Sequence, residues 1–106
     1  MYSFEYNQKT AYRIETIVAF DDWLKGLKDP TVRGRLIRRL VRAAQGNLGD
    51  VRSVGGGIFE MREHFGSGWR MYYMRRGDVL IVMLGGGDKR TQSADLARAI
   101  QWAQQL

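Results

Sequence analysis

A chain of 106 residues with 44% hydrophobic content suits one globular domain with a real core. It has no Cys, which excludes disulfides, thiolate metal sites and Cys nucleophiles. Its net charge of +6 is unevenly placed: residues 30–90 hold 12 Lys and Arg against 5 Asp and Glu. Such a basic stretch attracts phosphate backbones or acidic protein partners, and charge alone does not choose between them. No apolar run approaches the roughly 20 residues of a membrane span, and the first residues lack a signal-peptide segment. A soluble cytoplasmic protein is therefore expected.

Residues 1–11 alternate weakly through Tyr2, Phe4 and Tyr6, and read as an extension or a short added strand. Tyr12–Ile17 is a better strand, with Arg13 and Glu15 alternating against apolar neighbours. Thr16 is the expected cap of a first helix, in which Phe20, Trp23, Leu24 and Leu27 form one apolar stripe. Asp29 caps the next helix and Pro30 opens it. Val32, Leu36, Ile37, Leu40, Val41 and Ala44 form its expected apolar face; Arg35, Arg38, Arg39 and Arg42 line the other side. Gly46 is the expected stop. Asn47–Gly57 reads as a Gly-rich connection.

Three strand-like runs follow at Ile58–Phe65, Trp69–Arg75 and Val79–Leu84. Short gaps containing Gly separate them, which predicts an antiparallel meander. The two-residue period puts Glu60, Arg62 and His64 on one face of the first strand, and Arg70 and Tyr72 on one face of the second. One sheet face is thus expected to carry core and the other to present cations. The third run is apolar at every position, as in a strand covered on both sides. A last helix begins at Thr91 or Ser93, with Leu96, Ala97, Ile100 and Ala103 facing inward. The order predicts an α+β domain, a meander packed against a helical hairpin and a C-terminal helix.

Gly85-Gly86-Gly87-Asp88-Lys89 invites comparison with a phosphate loop, but Arg90 stands where that motif needs Ser or Thr. Backbone amides around the glycines could still hold one phosphate. His64 is the only His, and without Cys it makes no metal site. What remains is a cation-rich region with Glu60, Asp88 and Tyr72 nearby. That composition suits RNA cleavage by the internal 2′-hydroxyl, in which cations neutralise the phosphorane and a positioned base or acid moves a proton.

Several segments together carry a resemblance: Phe20-Asp21-Asp22-Trp23-Leu24, Gly46-Asn47-Leu48-Gly49-Asp50-Val51, Glu60-Met61-Arg62, Gly66-Ser67-Gly68-Trp69-Arg70-Met71-Tyr72-Tyr73 and Gly85-Gly86-Gly87-Asp88-Lys89-Arg90-Thr91-Gln92. Over about residues 12–105 the chain resembles the addiction-module killer proteins, HigB-like toxins of the RelE/ParE superfamily. The resemblance implies a single RelE-like domain ordered β-α-α-β-β-β-α. It implies a type II toxin that cuts mRNA on the translating ribosome, with no metal and no small-molecule cofactor, and a helix-turn-helix (HigA/Xre-like) antitoxin as partner. By motif, Arg70 would hold the scissile phosphate, with Arg62 and Lys89 as further catalytic cations. Glu60 is a candidate base, and Asp88 matches the motif. Arg90, Gln92, Tyr72, His64, Arg35 and Arg39 are expected RNA contacts. RNase-like members often carry a C-terminal His or Tyr; here neither follows Tyr73, so the proton-transfer group stays open. The ParE branch, which poisons DNA gyrase, shares the fold, and a nucleic-acid-binding phage regulatory module is a third reading.

Overall fold

The computed structural model describes residues 11–106, so most of the weak alternation at residues 1–11 lies outside the described residues. The elements are β1 (Arg13–Thr16), α1 (Val18–Lys25), α2 (Pro30–Ala44), β2 (Val51–Gly55), β3 (Ile58–Arg62), β4 (Arg70–Arg76), β5 (Leu80–Gly87), a 3₁₀ turn (Lys89–Thr91) and α3 (Gln92–Gln105). They form one five-stranded sheet in the order β1-β5-β4-β3-β2. Strands β2 to β5 run antiparallel, and β1 lies parallel to β5 at the edge. The fold is the expected α+β domain with one strand more than the sequence suggests.

The extra strand is β2. It pairs Val51 with Met61, Arg52 with Glu60 and Ser53 with Phe59. Gly55, Gly56 and Gly57 all adopt positive φ, which only glycine does cheaply, and close the hairpin. With so short a Val-Arg-Ser-Val run between Gly-rich flanks, the segment reads as a connection until its partner strand is seen.

Helix boundaries follow their local chemistry. Asp29 accepts from the Thr31 amide at 2.8 Å, and Pro30 occupies the first turn. At the other end the Gly46 amide donates to the Ala43 carbonyl, and the Asn47 amide to the Arg42 carbonyl. With Gly46 at φ 99° this is a Schellman stop. The expected Thr16 cap is not found: Thr16 ends β1, and Ile17 takes the cap position without a side-chain bond.

Both sheet faces are covered. On one, Phe20, Leu36 and Ala43 pack against Met61, Met71, Tyr73, Ile81 and Met83. On the other, α3 packs through Ala99 against Ile58, Tyr72, Val82 and Leu84. This double cover is why β5 is apolar at successive positions. It also corrects the expectation of an open cationic face: α3 closes most of that face. The face of α2 turned to the protein runs through Leu36, Arg39 and Ala43, while Ile37 and Val41 are exposed. In α3, Ala97 is exposed and Asp95 is buried.

The three glycines of Gly85–Gly87 lie in β5, paired with Tyr72, Met71 and Arg70, and not in a phosphate-binding loop. A Cβ at Gly86 would overlap the Trp23 ring and stand 2.7 Å from the Arg70 carbonyl oxygen. One at Gly87 would overlap the Asp95 carboxylate. Gly86 and Gly87 are small because a ring and a carboxylate lie directly on the strand there.

Candidate nucleic-acid interface

The site is built around a carboxylate that does not reach solvent. Glu60, on β3, has a side chain only 1% exposed. Around it stand Arg52 Nε at 3.3 Å, Gln92 Nε2 at 3.4 Å, Arg70 Nε at 3.5 Å and Arg62 Nε at 4.0 Å. The register of β2, β3 and β4 causes this: Arg52 faces Glu60 from one side and Tyr72 from the other, while Arg62 faces Arg70. Two arginines side by side repel unless a buried anion holds both. Glu60 therefore braces Arg62 and Arg70 from beneath. Arg70 is held further by donating from Nη1 to the Gly68 carbonyl at 2.8 Å.

Above them opens a cleft of about 230 Å³ lined by Arg62, Glu63, His64, Gly68, Arg70 and Lys89. Lys89 arrives there because two turns are stitched together. Asp88 accepts from Ser67 Oγ at 2.9 Å, from the Arg90 amide at 2.9 Å and from the Arg90 guanidinium at 2.8 and 3.0 Å. The Lys89 amide donates to the Ser67 carbonyl at 3.3 Å. The β3–β4 turn and the end of β5 are thus tied to each other. On the far wall, His64 Nε2 lies 2.6 Å from Asp50 Oδ2, and Arg62 Nε lies 3.3 Å from the same oxygen. The bond to His64 is the main reason the Asp50 carboxyl sits below its ordinary range.

Residues 22–106 match the family described as phage derived protein Gp49-like (DUF891). The chain belongs to this Gp49-like family. A Haemophilus influenzae relative, an uncharacterised protein, is 42% identical over 94 residues, which cover 89% of this chain and 95% of that one. Among solved structures, the toxin–antitoxin complex RelBE2 of Mycobacterium tuberculosis superposes with a TM-score of 0.62 at 15% identity, covering 74% of this chain and 99% of that one. A mutant of the Escherichia coli toxin RelE in the free state gives 0.59 at 19% identity, covering 83% and 97%. The intact E. coli RelBE complex gives 0.57 at 20%, covering 74% and 96%. This Gp49-like protein therefore has a RelE-like fold.

Of the residues singled out in its sequence, the fold brings Arg62, Arg70, Lys89 and His64 around one cleft. It withdraws others. Glu60 lies beneath the cleft floor, and Gln92 reaches it from the start of α3. Asp88 is buried and engaged by Ser67 and Arg90, while Arg90 itself is exposed. Tyr72 is fully buried under α3, so it offers RNA no surface. Burial, with the Glu60 and Asp95 carboxylates beside it, pushes its hydroxyl up to about 12 and keeps it protonated. Arg39 is buried as well, its guanidinium donating to backbone carbonyls and paired with Glu63. Arg35 stays at the surface, with its guanidinium 4.5 Å from the centre of the Phe65 ring. Asp50 and Ser67 stand in the segments that carry the resemblance, but sequence reasoning assigned neither them nor Arg52 a role in the site. The spacing of Arg52 and Glu60 across a Gly-Gly-Gly turn is the signal that a hairpin would have revealed.

The Gp49-like chain also carries an acid-sensitive staple. Hydrogen bonding to Arg90, then Ser67, lowers the Asp88 carboxyl from the ordinary 3.8 to about 2. A depressed folded-state value means that its contribution to stability is complete above about pH 4 and lost as pH falls from 3.8 towards 2. Asp88→Asn is expected to flatten the acid limb of stability over that window. Acid titrations of wild type and variant, followed by circular dichroism, check this; identical limbs would remove Asp88 from the acid response.

Proposed function

We propose that this protein is the toxin of a type II toxin–antitoxin pair, a HigB-like endoribonuclease that cuts mRNA on the translating ribosome in the cytoplasm. The observation that carries the reading is the cleft in which Arg62, Arg70 and Lys89 converge, two of them braced by a buried glutamate. Cleavage by the internal 2′-hydroxyl passes through a phosphorane with more charge than the substrate phosphate. Fixed cations that need no reorganisation stabilise such a state most. Arg70 holds the scissile phosphate, with Arg62 and Lys89 on its other oxygens. The partner is a helix-turn-helix antitoxin that covers the cations of the cleft. The RelBE complexes among the structural neighbours support this pairing through the shared fold. A second reading, a phage regulatory module that binds nucleic acid without cutting it, draws on the phage origin in the family's description.

Mapping of mRNA 5′ ends after brief induction separates these. Wild type is expected to generate new ends inside reading frames. Arg70→Ala is expected to reduce them by roughly 10²–10³, the usual loss on removing one oxyanion-type donor. Growth arrest with unchanged mRNA ends would transfer the reading to a gyrase poison. Unchanged ends without arrest, together with salt-sensitive nucleic-acid binding, would leave the regulatory module.

A further inference from the structure

We propose that His64 is the general base of the cleft, oriented by Asp50, and that it accepts the 2′-hydroxyl proton through Nδ1. The inference rests on the ribonuclease reading and supplies the proton-transfer group which that reading lacks. It starts from what the other acceptors are doing. Glu60 is buried beneath the floor, and the Asp88 carboxylate is occupied by Ser67 and Arg90. Glu63 is paired with the buried Arg39 guanidinium. Among the lining residues this leaves His64, whose side chain is 72% exposed.

The contact with Asp50 selects the nitrogen. A carboxylate accepts and does not donate, so Nε2, 2.6 Å from Asp50 Oδ2, carries the hydrogen. In the neutral imidazole the lone pair is then on Nδ1. Asp50 also stabilises the imidazolium once the proton arrives. The same Asp50 oxygen lies 3.3 Å from Arg62 Nε, so the base and a phosphate-facing cation share one anchor.

His64 also stands at a boundary. It lines the phosphate cleft and, on its other side, a groove of about 420 Å³ formed with Arg35, Arg38, Arg42, Glu63 and Phe65. A strand that crosses His64 finds cations for the phosphate on each side and places a ribose against the imidazole. In the step, O2′ attacks phosphorus while its proton passes to Nδ1. The O2′–P bond forms and the P–O5′ bond breaks. O5′ takes a proton from water, and the hydroxide formed removes the imidazolium proton. The products are a 2′,3′-cyclic phosphate and a 5′-hydroxyl.

The charged groups facing His64 are Asp50, the adjacent Glu63, Arg62, Arg70 and Lys89 around the cleft, and Arg35, Arg38 and Arg42 from α2. The test uses the purified full chain and ribosomes programmed with a defined mRNA, with single-turnover rates measured across about pH 5–8. Wild type is expected to quicken as the imidazole loses its proton and then level off. His64→Gln is expected to be roughly 10²–10⁴-fold slower, without that limb and with ribosome binding unchanged. Asp50→Asn is expected to slow cleavage less than His64→Gln while retaining the limb, with ribosome binding unchanged, and the double variant to lose less than the two losses multiplied, which independent roles would not give. His64→Gln cutting at the wild-type rate with the wild-type pH profile would overturn the assignment and leave the ribonuclease reading standing. Intact mRNA with wild type would overturn both.

Discussion

Arg39→Ala is expected to cost about 3–5 kcal/mol, the range for breaking a buried charge pair by removing one partner. Four acceptors depend on this guanidinium. Nε donates to the Leu48 carbonyl at 3.1 Å, Nη2 to the Leu48 and Asp50 carbonyls at 2.9 and 2.8 Å, and Nη1 to the Arg62 carbonyl at 2.9 Å and to Glu63. Truncation leaves three carbonyls and one carboxylate without these donors. Those acceptors belong to the α2–β2 connection and to the end of β3 with the residue after it; the Asp50 carbonyl keeps the Arg62 amide at 3.0 Å, while the others lose the donor that Arg39 supplies. For a domain of this size such a loss lowers Tm by about 12 °C or more. Arg39→Lys should recover little, since one ammonium cannot reproduce a planar fork with several donors. The consequence reaches the cleft: two of the carbonyls it holds belong to Arg62, which lines the cleft, and to Asp50, which pairs with the lining residue His64. Urea denaturation of the three proteins is the measurement. An Arg39→Ala protein within about 0.5 kcal/mol of wild type, the scale of a neutral surface change, would show the pairing to be incidental.

The second large effect is expected at Gly86. Overpacking usually costs about 1–3 kcal/mol, and Gly86→Ala should reach or exceed the upper end. The Trp23 ring is a side chain and can turn aside, but the Arg70 carbonyl 2.7 Å from the new methyl is backbone of a paired strand and cannot. Moving it would shift Arg70 itself, so cleft geometry and stability should fall together. Gly85→Ala is the control. A Cβ there meets nothing within 4 Å, and the variant should stay near wild-type stability. Thermal denaturation of both separates packing from a ligand-binding glycine tract. If Gly85→Ala were the damaging change and Gly86→Ala the silent one, the packing account would fail.

Much of the fold was legible because local signals agreed. Asp29-Pro30 and Gly46 mark the ends of α2 through chemistry contained in the segment itself. The continuous apolar run of β5 announced cover on both sides before any covering element was known. Strand β2 was missed because its evidence is its partner: Val51, Arg52 and Ser53 mean little until Met61, Glu60 and Phe59 stand opposite. The α2 arginines were misjudged at one position. Arg39 shares its spacing with exposed neighbours, and only the carbonyls of Leu48, Asp50 and Arg62 make its burial favourable.

The candidate site divides in the same way. The sequence by itself determined the cations Arg62, Arg70 and Lys89, the single histidine and the absence of thiol chemistry, because these are matters of residue type and strand period. Tertiary structure decided which groups are buried and which are free. It placed Glu60 under the arginines as a brace, hid Tyr72 beneath α3 and set Asp50 against His64 from 14 residues away. Period and composition describe a chain one element at a time. Burial and the pairing of charges arise only when elements distant in sequence exclude water from between them.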